Sequence, residues 1–270
     1  MNNKLGILLT MLILSAAIVV ANVVFNSPAA CSGQWTNCSN AFADNSNRAT
    51  AQATGSASRS GLWNGYGFSM PSSASIDKVI VRADFYASKS TGYLKLQASD
   101  DGGSSFGSAH TIGGNTAEQT FLIDVTSDRS WTPAKLNDAN LRINATCFKS
   151  GNGPNPTCSL DWVPVEVTYT LFDFNLAASP SSAVIFQTQT AQSTINVTRL
   201  GGAPQTVSLS YSNCPVASTC SLNPASGTTD FASSLSVATT NMTTPGYYAV
   251  NVTGVGDGLT RITTFTVHVV

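Results

Sequence analysis

Charge is scarce in this sequence. Only 10% of its 270 residues are Asp, Glu, Lys or Arg, and the formal net charge is -1. So neutral a chain lacks the electrostatic footprint that gathers phosphates, and nucleic acid is excluded as a partner. Histidine is nearly absent, with two copies, and no Cys-x-x-Cys occurs, so a zinc site has little to draw on. Gly-x-Ser-x-Gly, His-Glu-x-x-His, P-loop and strand-Gly-x-Gly-x-x-Gly-helix patterns are missing too. His110 falls in a loop and His268 in the last strand, neither with a partner acid identifiable from spacing. These absences read as a chain that is not an enzyme. Helical periodicity is also absent beyond Ser32.

Ser, Thr, Asn and Gly are abundant, together with short alternating apolar runs. Val79, Val81, Ala83 and Phe85 alternate with Arg82 and Asp84, and Leu94, Leu96 and Ala98 alternate with Lys95 and Gln97. Further strands are expected at Thr120 to Val125, Leu141 to Cys147 and Leu160 to Thr170. A second series starts after Leu171 to Leu176, with Val207 and Leu209, Leu235 and Val237, Val250 and Val252, and Phe265, Val267 and Val269. Turn chemistry punctuates both series at Asp101 to Gly103, Gly201 to Pro204, Thr244 to Gly246 and Gly256 to Gly258. The expected fold class is all-β: two β-sandwiches, residues 31–171 and 172–270, preceded by one N-terminal hydrophobic helix within residues 1–30.

That first segment has one cation, Lys4, and then an uncharged, mostly apolar run of 21 residues from Leu5 to Phe25. A secretory h-region needs about 7–15 apolar residues and a spanning helix about 20, so the run suits a membrane anchor. Ser27 and Ala29 offer small residues for cleavage instead. Either way, the chain beyond Phe25 is exported. The run also resembles an archaeal pilin N-terminus, which implies the chain itself as a partner in a filament.

Six cysteines fall in three close pairs, Cys31 with Cys38, Cys147 with Cys158 and Cys214 with Cys220. Read as three local disulfides, they place the chain in an oxidising compartment, although six cysteines allow 15 connectivities. Asn37, Asn144, Asn196, Asn241 and Asn251 each begin an Asn-x-Ser/Thr triplet and are candidate glycosylation sites.

Residues 31–171 resemble the jelly-roll, galactose-binding-like module of extracellular and phage structural proteins. The likeness is carried by Asn40-Ala41, Asp44-Asn45 and Ala49 to Ala51, then by Gly67 to Val81, Ser99 to Gly103, Trp131 to Arg142 and Leu160 to Tyr169. It implies a fold and no single activity. Residues 172–270 resemble the Ig-like repeats of secreted bacterial and archaeal proteins, through Ala178 to Pro180, Thr206 to Ser210, Cys220 to Thr228 and Thr244 to Gly254. Such repeats imply spacers, stalks or adhesive modules.

Ser99, Asp101, Gly103, Ser105 and Phe106 complete the "Asp-box" pattern carried by sialidases and other secreted β-proteins. It occurs once, without the propeller repeat of a sialidase, and reads as a hairpin turn. Asp44, Asp100, Asp101 and Asp161 could hold a Ca²⁺ ion, the one cofactor this chemistry suggests; turn and strand-end aspartates are the simpler reading. Trp35, Trp63 and Tyr66, with Phe68, could form a stacking platform for surface glycans, against the simpler reading of core aromatics. The expectation is an exported surface protein, structural or adhesive, with carbohydrate binding as the alternative.

Overall fold

A computed structural model describes residues 20–270. Its first eleven strands begin with β1 (Ala21–Asn26), β2 (Ala30–Gly33), β3 (Ala49–Gln52) and β4 (Arg59–Asn64). They continue with β5 (Ser75–Ala87), β6 (Gly92–Ser99), β7 (His110–Gly113) and β8 (Gln119–Asp124). The series ends with β9 (Arg142–Lys149), β10 (Thr157–Trp162) and β11 (Val165–Thr170). One sheet runs β1-β11-β5-β10-β3, with β8 also paired to β5, and the other runs β2-β4-β9-β6-β7. All these pairs are antiparallel.

Alternation explains why the sheets close on one another. Val79, Val81, Ala83 and Phe85 on β5 and Leu94, Leu96 and Ala98 on β6 are all buried, so one face of each strand forms the core around Trp63 and Phe85. The Cys147–Cys158 disulfide joins β9 to β10 and so staples one sheet to the other. The expected strand from Leu160 to Thr170 is two strands. Pro164 has no amide hydrogen to give to the ladder, and β10 ends at Trp162 before β11 begins at Val165.

The remaining strands start with β12 (Asp173–Ser179), β13 (Ser182–Ile185), β14 (Thr190–Gly201), β15 (Thr206–Ser212) and β16 (Ser218–Asn223). They close with β17 (Ser226–Thr228), β18 (Phe231–Thr239), β19 (Gly246–Gly256) and β20 (Leu259–Val269). These form a four-stranded sheet, β12-β14-β18-β16, and a five-stranded one, β13-β20-β19-β15-β17, around a second core built on Phe174 and Phe265. β13 pairs in parallel with β20, and the other pairs are antiparallel.

Between β11 and β12 lie only Leu171 and Phe172. Gly202, at φ +71, packs so closely on this joint that a Cβ there would lie 2.3 Å from Phe172 N and 2.7 Å from Leu171 C. Ala203 N also donates to Ser73 O at 2.7 Å, tying the second strand series to the first.

The expected N-terminal helix falls mainly on residues 1–19, outside the described residues. The end of the apolar run, however, is a strand rather than helix. β1 pairs residue by residue with β11, from Ala21↔Thr170 to Asn26↔Val165, and Phe25 meets the Trp162 ring edge-on at 5.1 Å. Trp162 Nε1 donates to Ser27 Oγ at 2.9 Å, and Ala29 N donates to Asn64 O at 3.0 Å. Sheet pairing takes Ala21 to Phe25 out of the run a bilayer could hold. Among the described residues, no helix is long and apolar enough to cross a membrane.

Candidate functional site

The Asp-box hairpin joins β6 to the loop that leads to β7. Ser99 is fully buried at the end of β6, and its hydroxyl donates to Asp101 Oδ1 at 2.7 Å while accepting from Gly103 N at 2.9 Å. The Asp101 carboxylate in turn receives the Ser105 amide at 3.0 Å and the Ser105 hydroxyl. Gly102 and Gly103 sit at φ +75 and +92, conformations that the turn requires and that a Cβ would oppose. The Ser105 hydroxyl and amide, then the Ser99 hydroxyl, hold the Asp101 carboxyl well below the usual carboxylate range.

Beside this turn lies an open cleft of about 480 Å³, lined by Asp100, Asp128, Arg129 and Lys135 together with Asp101, Ser127 and Ser130. Its charges are largely paired with one another. Lys135 Nζ reaches Asp100 Oδ2 at 2.6 Å, Arg129 Nε lies 3.6 Å from Asp100 Oδ1, and His110 Nε2 meets Asp128 Oδ2 at 2.7 Å. Arg129 Nε and Nη2 are buried without a hydrogen-bond partner. The ion pairs fasten the segment 126–135 to the hairpin, and they leave the Arg129 guanidinium as the group with unused donors. Sequence spacing singled out Asp100 and Asp101 but not Arg129, Lys135 or the His110–Asp128 pair, because these meet only through the fold.

The other two aspartates named with them lie elsewhere. Asp161, buried on β10, accepts the Ser46 amide at 3.0 Å and fixes the loop through Asn45. Asp44 is exposed and lies 3.6 Å from Arg82 Nη2. Asp44, Asp100, Asp101 and Asp161 therefore do not converge on one point, and among the described residues no three His, Cys, Asp or Glu side chains come together as a metal cluster.

The glycan platform is corrected by burial. Trp35 (5% exposed) donates Nε1 to Ala145 O at 3.0 Å, and Trp63 (0%) donates to Cys38 O at 3.2 Å. Tyr66 (3%) donates its hydroxyl to Val163 O at 3.0 Å, and burial raises its phenol well above the usual range. Trp35 and Trp63 pack edge to face at 5.6 Å. Rings enclosed in this way have no face to offer a sugar, and they fill the core instead.

The three disulfides are Cys31–Cys38, Cys147–Cys158 and Cys214–Cys220, and they mark an extracellular protein. Of the sequon asparagines, Asn37 and Asn241 are exposed, and Asn144, Asn196 and Asn251 are half-buried on strands. Two of the sequon hydroxyls are already engaged. Thr146 Oγ1 bonds Ser60 Oγ at 2.8 Å, and Thr243 Oγ1 donates to Ala217 O at 2.8 Å.

No protein-family model matches the chain, and no curated protein matches it. Among solved structures it is similar to domains 4 and 5 of the S-layer protein SbsC, at 13% identity and TM-score 0.28 over 40% of this chain and 63% of that one. A β-1,2-glucanase from Parabacteroides distasonis is similar at 10% identity and TM-score 0.34, over 92% of this chain and 37% of that one. A putative β-galactosidase from Bacteroides fragilis is similar at 11% identity and TM-score 0.25, over 78% and 32%. The chain spans less than two thirds of each of these. Likeness of this order carries no argument about activity, substrate or partner.

Proposed function

We propose that the chain is an exported, non-catalytic surface protein that works by projecting and assembling. In this reading a jelly-roll module, residues 21–171 once β1 is counted in its sheet, joins an Ig-like module, residues 172–270, and the apolar segment before Ala21 brings both to the cell surface. The observation that carries the reading is the joint. Two residues separate the two strand series, and Gly202 and Ala203 brace them against Phe172 and Ser73. A braced joint transmits orientation and load, as a stalk or layer subunit must; a flexible linker would not. The paired carboxylates of the cleft and the firmly ionised Asp101 favour a structural role for the hairpin as well.

Immunogold labelling and surface biotinylation of intact cells, paired with a deletion strain, test the reading. Surface label together with lost adhesion or an altered surface layer on deletion is the expected result. Exclusive recovery inside the cell, or glycoside hydrolysis by the purified chain, overturns it.

A second reading, glycan binding, draws on the unbonded Arg129 donors in the hydroxyl- and carboxylate-lined cleft. Glycan-array binding that Arg129→Met abolishes would support it, and binding unchanged by that variant would remove it.

A further inference from the structure

Residues 171–270 contain five charged side chains, Asp173, Arg199, Asp230, Asp257 and Arg261. All of them sit toward the joint. Arg261 pairs with Asp173 at 2.7 Å, the Arg199 amide donates to Asp230, Arg199 lines a separate cleft at the joint with Asp77 and Thr170, and Asp257 lies in the turn after Gly256, which packs near Phe172.

The outer face of the β13-β20-β19-β15-β17 sheet carries none of them. Cross-strand register fixes which residues share that face. Val184, His268 and Tyr247 form one row at one end; Ala249 opposite Thr266 and Asn251 opposite Thr264 follow, and then Thr253 opposite Ile262 and Val255 opposite Thr260. Ser208, Ser210 and Ser212 extend the rows onto β15. Val184, Tyr247 and Ile262 are 68%, 75% and 63% exposed. At one end, the adjoining loops add exposed Phe186 and Met242, held together because Gln187 Nε2 donates to Asn241 O and Thr243 O.

The other sheet of the same sandwich serves as an internal comparison. No large hydrophobic residue is exposed on β12, β14, β16 or β18. Apolar exposure is therefore confined to one of two faces that are otherwise alike in their coating of hydroxyls. Four large apolar side chains, Val184, Tyr247, Val255 and Ile262, are bared on one face and none on the other, and that asymmetry marks the first face as a contact surface.

We propose that this face docks a second copy of the same chain, sheet against sheet, about a twofold axis. A charge near such an axis meets its own copy, so a face without charges suits self-pairing in a way that a charged face does not. Ser and Thr hydroxyls both donate and accept, so two identical hydroxyl-bearing faces satisfy each other in either direction. The five strands hold 36 residues, and at about 3.4 Å rise and 4.8 Å spacing full coverage of the face gives a footprint of roughly 600 Å² per copy. The corresponding total, about 1,200 Å², reaches the lower bound of stable interfaces, and the Phe186–Met242 rim adds to it. A bilayer is the weaker occupant, since the face has no Lys or Arg to meet headgroups.

The inference rests on the assembly reading for its biological use, and its test separates the two. Sedimentation equilibrium of the full chain is compared with Ile262→Lys, Val255→Lys and, on the opposite sheet, Thr194→Lys. The expected result is a dimer that the first two variants weaken about tenfold or more and the third leaves intact, at unchanged melting temperature. A chain that stays monomeric at about 100 μM, or variants on both sheets acting alike, overturns the proposal. Co-sedimentation with neutral phosphatidylcholine vesicles that Ile262→Lys abolishes overturns it in favour of lipid. If Ile262→Lys alters the melting temperature, Val255→Lys decides. A monomer that still labels at the cell surface sinks the dimer and leaves the surface reading standing.

Discussion

The Arg82 guanidinium lies 4.7 Å over the Trp162 ring and donates to both oxygens of Asp84, at 3.2 and 2.8 Å. Asp84 is 3% exposed although it points away from the core of its sandwich, and Thr120 Oγ1 supplies its remaining bond at 2.6 Å. The outer face of β5 is thus covered by Thr120 of β8 and Trp162 of β10, and Phe25 of β1 packs in turn on the Trp162 ring. Its pairing with β11 and the Phe25–Trp162 contact make β1 part of the same sheet.

Removing β1 tests this integration. A chain starting at Ala30 loses the packing of Val24 and Phe25 and bares the edge of β11. Compared with a chain starting at Val20, it is expected to lose about 2 kcal/mol of stability from that packing. Its β11 edge is expected to promote association. Calorimetry and light scattering of the two chains measure both effects.

Asp101 predicts an acid limb. Its folded carboxyl is held below the unfolded value of about 3.9, so its contribution is complete above that value and is lost as pH falls toward the folded one. Asp101→Asn is therefore expected to be less stable than the native chain at neutral pH, with the gap narrowing below about pH 4. Urea melts of both proteins from pH 7 to pH 2.5 track the gap. A gap independent of pH would contradict the turn geometry.

The cross-sheet disulfide should matter more than its short loop suggests. Cys147 and Cys158 are fully buried and tie β9 to β10 across the core. Replacing both with Ala is expected to cost about 2–4 kcal/mol, read as a lowered melting temperature by calorimetry.

Gly202→Ala strains the joint from two directions, through its positive φ and through contact with the Phe172 backbone. The expected loss is about 1–3 kcal/mol. Small-angle scattering should show a wider spread of conformations than in the native chain, and an unchanged profile would remove the joint from the account of projection.

Much of the sheet structure was legible because one face of each strand is wet. Val79 to Phe85 and Leu94 to Ala98 alternate, and spacing alone identifies their inward residues. β1 was not legible. It lies at the end of the uncharged, mostly apolar run from Leu5 to Phe25, and periodicity does not separate a strand from a helix there. Asp84 alternates correctly yet is buried, because its partner Thr120 lies 36 positions away. The aromatics Trp35, Trp63 and Tyr66 were visible as a group, but whether rings face water or core depends on Ala145, Cys38 and Val163, which reach them only through the fold. The cleft at Arg129 has no local signature at all.

The pairing of Ala21 with Thr170 sets how β1 responds to force. β1 starts where β11 ends, so traction between residue 20 and the second strand series separates opposed partners one pair at a time, beginning with Ala21 and Thr170. Antiparallel strands pulled in this geometry unzip at low force, whereas strands dragged lengthwise past one another resist in shear. Under tension from its N-terminal side, the protein would release β1 first and lengthen before either sandwich opens.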